Sequence, residues 1–384
     1  MNRLTTSQGT FELARFPEHP SDPFRAWDAA DEYLLRQLTD PGTGPVDLTG
    51  TVAVVGDRWG ALATALAAHR PVQISDSYLA RRATQANLER NGLDPEAVTL
   101  LSSRDTPPDR IDVLLVRVPK SLAFLEDQLQ RIAPALHAGT VVIGTGMVKE
   151  IHTSTLKLFE RIVGPTRTSL AVRKARLIFS TPDLELPRTP SPWPYRYELP
   201  GDVGPASGRT TVNHAGIFCA ERLDVGTRFF LKHLPTRGGS VEVADLGCGN
   251  GVLGLSAALA NPDAHVTFVD ESYGAVASAE ETFRLGAPEG AMADFLVGDG
   301  LSDIAPGTMD LVLNNPPFHS HMATTDATAR TMFVSARTAL RQGGELWVVG
   351  NRHLSYHTHL RRIFGNCTTV AGDAKFVVLR AVKR

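Results

Sequence analysis

Val241-Glu-Val-Ala-Asp245-Leu-Gly247-Cys-Gly249-Asn-Gly251-Val-Leu-Gly254 is the stretch whose reading decides the fold. The run from Val241 to Asp245 is short, apolar and Val-rich, the pattern of a parallel strand buried on both faces. Gly247, Gly249 and Gly251 then permit a sharp turn and leave room for a ligand to lie against the backbone. Leu253, Leu255, Ala257, Ala258 and Leu259 predict a helix that starts at about Val252. Strand, glycine loop and helix N-terminus make a nucleotide-binding crevice, with free backbone N–H groups facing the ligand.

The stretch by itself leaves the ligand open. Gly249-Asn-Gly251-Val-Leu-Gly254 matches the G-x-G-x-x-G dinucleotide fingerprint, but one such match is a weak signal. A purely structural tight turn would use the same glycines. Asp245 just ahead of the loop tilts the balance, because Asp-x-Gly-x-Gly-x-Gly resembles motif I of the S-adenosylmethionine (SAM) methyltransferases. That resemblance implies that Asp245 interacts with the methionine end of the cofactor.

Asn315-Pro-Pro-Phe318 separates the readings. It follows an expected strand, Leu311 to Asn314, and so sits at the carboxyl ends of the sheet, in the crevice lined by the glycine loop. Alone, Asn-Pro-Pro is an ordinary turn. Downstream of the glycine loop it resembles motif IV of methyltransferases that act on planar amino nitrogens: the exocyclic amines of adenine, cytosine or guanine, or a glutamine amide. Such a nitrogen has a delocalised lone pair and is a poor nucleophile. The Asn315 side-chain oxygen and the Pro316 carbonyl can accept its two N–H bonds, which favours pyramidalisation and aims the lone pair at a sulfonium methyl. Pro316 and Pro317 stiffen the loop in advance, and positioning of this kind lowers a barrier by roughly 7–11 kcal/mol. Phe318 offers a face for a base, worth roughly 1–3 kcal/mol in single-strand binders. The cofactor carries the reactive group, so neither a covalent nucleophile nor a metal is expected.

Two further carboxylates complete the expected site. Asp270 ends the next strand at close to the roughly 20-residue spacing of the acid that binds ribose hydroxyls; otherwise it is a solvated strand-end Asp. Asp299, in Val-Gly-Asp-Gly, ends the third strand and could accept from the adenine amino group, although Gly-Asp-Gly is also a common turn. Asn250 is placed beside the methionine moiety. His319 and His321 read as substrate contacts or exposed loop residues, since amine methylation needs no strong base.

Composition sets the bounds. At 384 residues with a formal net charge of −2, the chain has room for two domains and is not a basic nucleic-acid coat. Its N-terminus lacks the apolar core of a signal peptide, and no run of apolar residues is long enough to span a membrane. Three widely spaced cysteines, Cys219, Cys248 and Cys367, contain no C-x-x-C, which fits a reducing cytoplasm and suggests no zinc site. One segment carries charge of a single sign: Arg161, Arg167, Arg173, Lys174 and Arg176. Scattered solvated charges and a phosphate-contacting strip explain it equally well.

In chain order, residues 1–22 read as a polar, loosely held leader, and Ala26 to Leu38 as an amphipathic helix. Val52 to Val55 then reads as a buried strand, followed by Gly56-Asp-Arg58-Trp59-Gly60 and a second helix. This pattern is a repeat. Gly56 falls on Gly247, Asp76 on Asp270, and Asp112 to Pro119 on Asp310 to Pro317, all about 190–200 residues apart, which indicates a duplicated domain rather than a solenoid. The first copy has Arg58 in place of Gly249, Trp59 in place of Asn250 and Arg117 in place of Asn315, so its crevice should be filled and its chemistry lost.

The prolines between Thr181 and Ser207 exclude a helix or central strand. The expected layout is a degenerate methyltransferase-like domain over 1–183, a proline-rich linker over 184–207 and a catalytic domain over 208–384. A helix is expected from Phe218 to Leu234. After the glycine loop, strands are expected at 266–269, 293–297, 311–314, 345–349 and 376–382. The fold class is α/β: two tandem Rossmann-like domains, each a mostly parallel doubly wound sheet, with an antiparallel hairpin across Gly372-Asp373 at the end.

Ala26-Trp-Asp-Ala-Ala-Asp-Glu-Tyr-Leu-Leu35, Ile151-His-Thr-Ser-Thr155, Asn315-Pro-Pro-Phe-His319, Asn351-Arg-His-Leu354 and Ile363-Phe-Gly-Asn-Cys-Thr-Thr369 together resemble the tandem-domain bacterial ribosomal RNA guanine-N2 methyltransferases. The likeness is nearer to the large-subunit branch and runs over nearly the whole chain. It implies SAM-dependent methylation of N2 of one guanosine in 23S rRNA, releasing S-adenosylhomocysteine. It also implies action on protein-free or early-assembly rRNA, with the first domain helping to hold RNA; the residues leave the oligomeric state open, with a monomer favoured. Rival readings are the same chemistry on 16S rRNA, DNA adenine or protein glutamine, a non-catalytic RNA-binding or assembly protein, and a nicotinamide oxidoreductase. The proline-rich stretch matches the family least well.

Overall fold

The computed structural model describes residues 2–18, 23–40, 42, 44–317 and 322–384, with side chains from 327 in the last span. The chain divides into two compact units, Met1–Pro192 and Trp193–Arg384.

The first unit opens with a hairpin, β1 (Arg3–Thr6) and β2 (Gly9–Glu12), followed by α1 (Ala29–Gln37). Then come β3 (Val52–Val55), α2 (Ala61–Ala65), β4 (Val72–Ser75), α3 (Tyr78–Arg90) and β5 (Thr99–Ser102). β6 (Ile111–Arg117), α4 (Leu122–Ile132), β7 (Leu136–Met147), α5 (Thr153–Ile162), β8 (Thr166–Thr168) and β9 (Ala175–Ser180) complete it.

The second unit opens with β10 (Tyr195–Glu198), β11 (Thr210–Asn213) and α6 (Val225–Leu231). β12 (Glu242–Leu246), α7 (Val252–Ala260), β13 (His265–Asp270), α8 (Tyr273–Gly286) and β14 (Met292–Val297) follow. β15 (Met309–Asn314), α9 (Met322–Ala339), β16 (Leu340–Asn351), α10 (Tyr356–Phe364), β17 (Thr368–Gly372) and β18 (Phe376–Val382) end the chain.

Each unit holds one seven-stranded sheet. The orders are β5-β4-β3-β6-β7-β9-β8 and β14-β13-β12-β15-β16-β18-β17, the same topology twice. The first five strands of each order run parallel, and the last two join antiparallel. Helices cover both faces, so the central strands are buried on both sides; every residue of β15 is buried. In both units the chain reverses direction of travel across the sheet beside the first core strand, β3 or β12. A crevice therefore opens at the carboxyl ends of β12 and β15.

Three expectations are corrected. The leader opens with a folded hairpin, β1 and β2: Leu4 and Leu13 are buried in the core, and Asn91 and Asn87 of the α3 end bond the Glu12 and Ala14 N–H groups at 2.8 and 2.9 Å. The linker does not extend past Pro192. β10 pairs with β11, and Leu199, Val203 and Ala206 enter the second core, so 193–207 is structural despite its prolines. The helix expected over 218–234 is shorter, because Asp224 caps it through the Thr227 N–H and so sets its start.

Candidate functional site

β12 delivers Asp245 to the floor of the crevice, and the glycine loop is stitched to the end of β13. The Gly247 and Cys248 N–H groups both bond the Val269 carbonyl, at 2.8 and 3.0 Å. The Gly249 N–H donates to Asp270 Oδ2 at 3.1 Å, while Asp270 Oδ1 accepts from the Ser272 N–H at 3.0 Å. Gly247, Gly249 and Gly251 have φ of +70°, +54° and +77°, the left-handed region that glycine tolerates best.

The glycines serve different ends. A Cβ at Gly251 would lie 2.9 Å from Ala279, and one at Gly254 only 2.2 Å from the Phe268 ring. Those two let the helices and β13 pack. A Cβ at Gly249 would meet nothing within 4 Å among the described residues, so among these that glycine alone of the three leaves room over the loop.

Asp245 is fully buried. Its Oδ2 accepts from the Gly254 N–H at 2.8 Å, and its Oδ1 has no partner among the described residues. Burial pushes the carboxyl up to about 8, with the Gly254 N–H opposing and the Asp270 charge adding to the rise. Asp299 follows β14 and is likewise raised, by burial and by Asp303. Asn250 is held by the β10–β11 hairpin: its Nδ2 donates to Asn213 Oδ1 at 2.9 Å and to the Tyr197 hydroxyl at 3.4 Å.

β15 lies beside β12 with Asn314 opposite Leu246, which carries Asn315-Pro316-Pro317 to the same end of the sheet. Asn314 Nδ2 bonds the Leu246 carbonyl at 2.7 Å. Asn315 Nδ2 donates to Thr227 Oγ1 at 2.8 Å and faces Asp224 Oδ2 at 3.5 Å. The Oδ1 atoms of Asn314 and Asn315 are buried without partners among the described residues. Pro316 is buried and Pro317 exposed. Phe318, His319 and His321 lie outside the described residues.

Three buried oxygens, on Asp245, Asn314 and Asn315, are thus unpaired on neighbouring strands. A buried acceptor without a partner is costly, and three beside an open glycine loop fit a site completed by a donor-rich ligand such as SAM and an amine. No group of His, Cys, Asp and Glu that could hold a metal occurs among the described residues.

In the first unit the same positions are occupied differently. Val54 stands where Asp245 does. Arg117, 1% exposed, reaches Asp28 at 2.6 Å, Asp31 at 3.3 Å and Glu150 at 3.0 Å, and Arg58 reaches Glu150 at 3.0 Å.

The five basic residues of the first unit do not share one face. Arg167 lies opposite Phe179 and its guanidinium is 4.4 Å from that ring, on the side of the sheet covered by α1. Arg173 pairs with Glu32 of α1 at 2.7 Å. Arg176 alternates onto the face of Ile178, the side covered by α5, which also carries Arg161, paired with Glu126. Lys174 shares with Arg173 a turn of positive φ.

Sequence reasoning passed over Asp224, Thr227, Asn314, Asn213 and Tyr197. The first two carried a weak signal: an Asp three residues ahead of a Thr at a helix start reads only as a cap.

Residues 1–184 match the model of the RLMG N-terminal domain, and residues 208–380 that of the methyltransferase small domain. The chain is 88% identical, over all of both chains, to the ribosomal RNA large subunit methyltransferase G of Streptomyces griseus subsp. griseus. It is 47% identical, again over all of both chains, to the protein of that name from Pseudomonas aeruginosa. Among solved structures it resembles the T. thermophilus 16S rRNA N2 methyltransferase bound to AdoMet and guanosine. That match has a TM-score of 0.75 at 22% identity and covers 100% of this chain and 97% of the other, a likeness of fold.

Proposed function

From the chain's membership of the ribosomal RNA large subunit methyltransferase G family, we propose that its second unit transfers a methyl group from SAM to the exocyclic N2 of a guanosine in 23S rRNA. The observation that carries this reading is the Asn315 amide, with its nitrogen anchored and its oxygen buried with no partner among the described residues.

Bound SAM supplies an electrophilic methyl on a sulfonium and leaves as S-adenosylhomocysteine. The protein's part is binding and orientation. Asp245 and the glycine loop, with Gly249 the open position, receive the methionine end. Asp270 and Asp299 would accept hydrogen bonds from the ribose hydroxyls and the adenine amine. Asn315 Oδ1 and the Pro316 carbonyl accept the two N–H bonds of guanine N2, which draws its lone pair out of the ring plane. The guanine is turned out of its helix or loop to reach them, and Phe318 offers it a stacking face. The first unit, with Arg58 and Arg117 in its crevice, carries no chemistry and grips RNA from two faces of its sheet edge. The substrate is protein-free or early-assembly 23S rRNA in the cytoplasm.

The test is an assay with SAM on separated 16S and 23S transcripts, followed by nucleoside mass spectrometry. N2-methylguanosine is expected from the 23S transcript alone. Asn315→Ala should abolish it while leaving SAM affinity and melting temperature unchanged. Near-full methylation by that variant would defeat the assignment.

A further inference from the structure

We propose that Thr227 and Asp224 are positioning residues that determine which end of the Asn315 amide faces the reacting amine. The inference rests on the function proposed above and adds to it how the acceptor is oriented.

An asparagine amide has two ends of nearly equal shape, and only the oxygen accepts. Flipped, Asn315 would turn its NH2 toward the guanine amine, donor against donor. The structure contains a chain of bonds that forbids the flip. Asp224 Oδ2 accepts from the Thr227 N–H at 2.8 Å and from the Thr227 hydroxyl at 3.2 Å. A carboxylate can only accept, so the hydroxyl proton is committed to Asp224 and the Oγ1 lone pairs are turned elsewhere. Asn315 Nδ2 meets them at 2.8 Å, with Asp224 Oδ2 a second acceptor at 3.5 Å. A flipped amide would set its carbonyl oxygen against an oxygen with no proton to share and against a carboxylate. The polarity of Asp224 thereby passes through one hydroxyl and points Asn315 Oδ1 away, where it is buried with no partner among the described residues.

The first unit shows the same device in altered form. Asp28 caps α1 as Asp224 caps α6, and Asp31 stands three residues after it as Thr227 does after Asp224. Both reach the equivalent position at the carboxyl end of the matching strand, β6 or β15: Asp28 and Asp31 hold Arg117, while Asp224 and Thr227 hold Asn315. The cap and the third helical residue address that position in both units, and their chemistry changes with it. Two carboxylates serve an arginine; a carboxylate and a hydroxyl serve an amide. The helix itself needs only the Thr227 backbone N–H for its cap, so the hydroxyl is free for this task.

The full chain, assayed on a 23S transcript, tests the relay. Thr227→Val keeps shape and cap but removes the acceptor. It should lower kcat about 10–100-fold, the scale of a misplaced catalytic group, with KM for RNA, SAM affinity by calorimetry and melting temperature unchanged. Thr227→Ser should restore most of the loss. Asp224→Asn still caps the helix but can donate to the hydroxyl, reversing its polarity, and should also lower kcat. Wild-type kcat in Thr227→Val would overturn the proposal. So would a loss that Ser fails to rescue and that tracks weakened SAM binding, since the residue would then be merely structural. Absence of N2-methylguanosine from the wild type would strike the functional reading itself, a distinct result.

Discussion

Arg117 Nη1 donates to Glu150 Oε2 at 3.0 Å, inside a crevice whose counterpart in the second unit holds Asn315. The guanidinium is almost wholly buried, and three carboxylates are arranged around it. Removing one member of such a cluster leaves uncompensated buried charge. Arg117→Met should destabilise the first unit by about 3–5 kcal/mol, read as a lowered melting temperature in calorimetry of the full chain. An unmoved melting profile would show that the cluster is not buried as described.

The Glu150 and Asp245 carboxyls should contribute to stability with opposite dependence on pH. Burial works to raise the Glu150 carboxyl, but Arg117 and Arg58 outweigh it and hold it at about 2, against an ordinary 4.5. Its contribution to stability is present above pH 4.5 and is lost as pH falls toward 2. Asp245 is raised from 3.8 to about 8 by burial, so in the ligand-free protein its contribution is present below pH 4 and is lost as pH rises through 8. Glu150→Gln should flatten the acid side of the stability profile, and Asp245→Asn the alkaline side. Denaturant midpoints measured from pH 3 to 9 check both, and parallel profiles for wild type and Asp245→Asn would count against the buried carboxyl.

Gly249→Ala and Gly254→Ala should fail differently. At Gly254 a Cβ would sit 2.2 Å from the Phe268 ring, and overpacking of that kind costs about 1–3 kcal/mol. Its effect should appear as lost melting temperature. At Gly249 the new methyl meets no atom of the described residues within 4 Å, and the left-handed backbone costs about 1–2 kcal/mol. Its effect should appear mainly as weaker SAM binding, because the methyl occupies the open space over the loop. Calorimetric titration with SAM, set beside thermal melts, separates the two, and equal SAM affinity in Gly249→Ala and wild type would remove that glycine from the site.

Much of the architecture was legible in the residues. The Val241–Gly254 stretch shows strand, turn and helix because each depends on local chemistry: an apolar run, left-handed glycines, a helical spacing. The duplication was legible because Gly56 and Gly247 each open the same turn, and each donates its N–H to the neighbouring strand. The N-terminal hairpin was not, since Leu4, Phe11 and Leu13 are too few and too widely spread in a mostly polar run to mark two paired strands. Nor was the role of 193–207, whose prolines speak against regular structure while Leu199 and Val203 anchor it in the core.

The sequence by itself determined the crevice and the reactive loop, because glycine torsions and the stiffness of Asn-Pro-Pro are properties of neighbouring residues. Only the tertiary structure decided how the Asn315 amide is turned and which face of the sheet each arginine occupies. Thr227 lies 88 residues from Asn315, and Phe179 and Ile178, adjacent in the chain, point to opposite cores. Hydrogen-bond polarity and strand facing depend on partners brought together by folding, and no local pattern of residues encodes them.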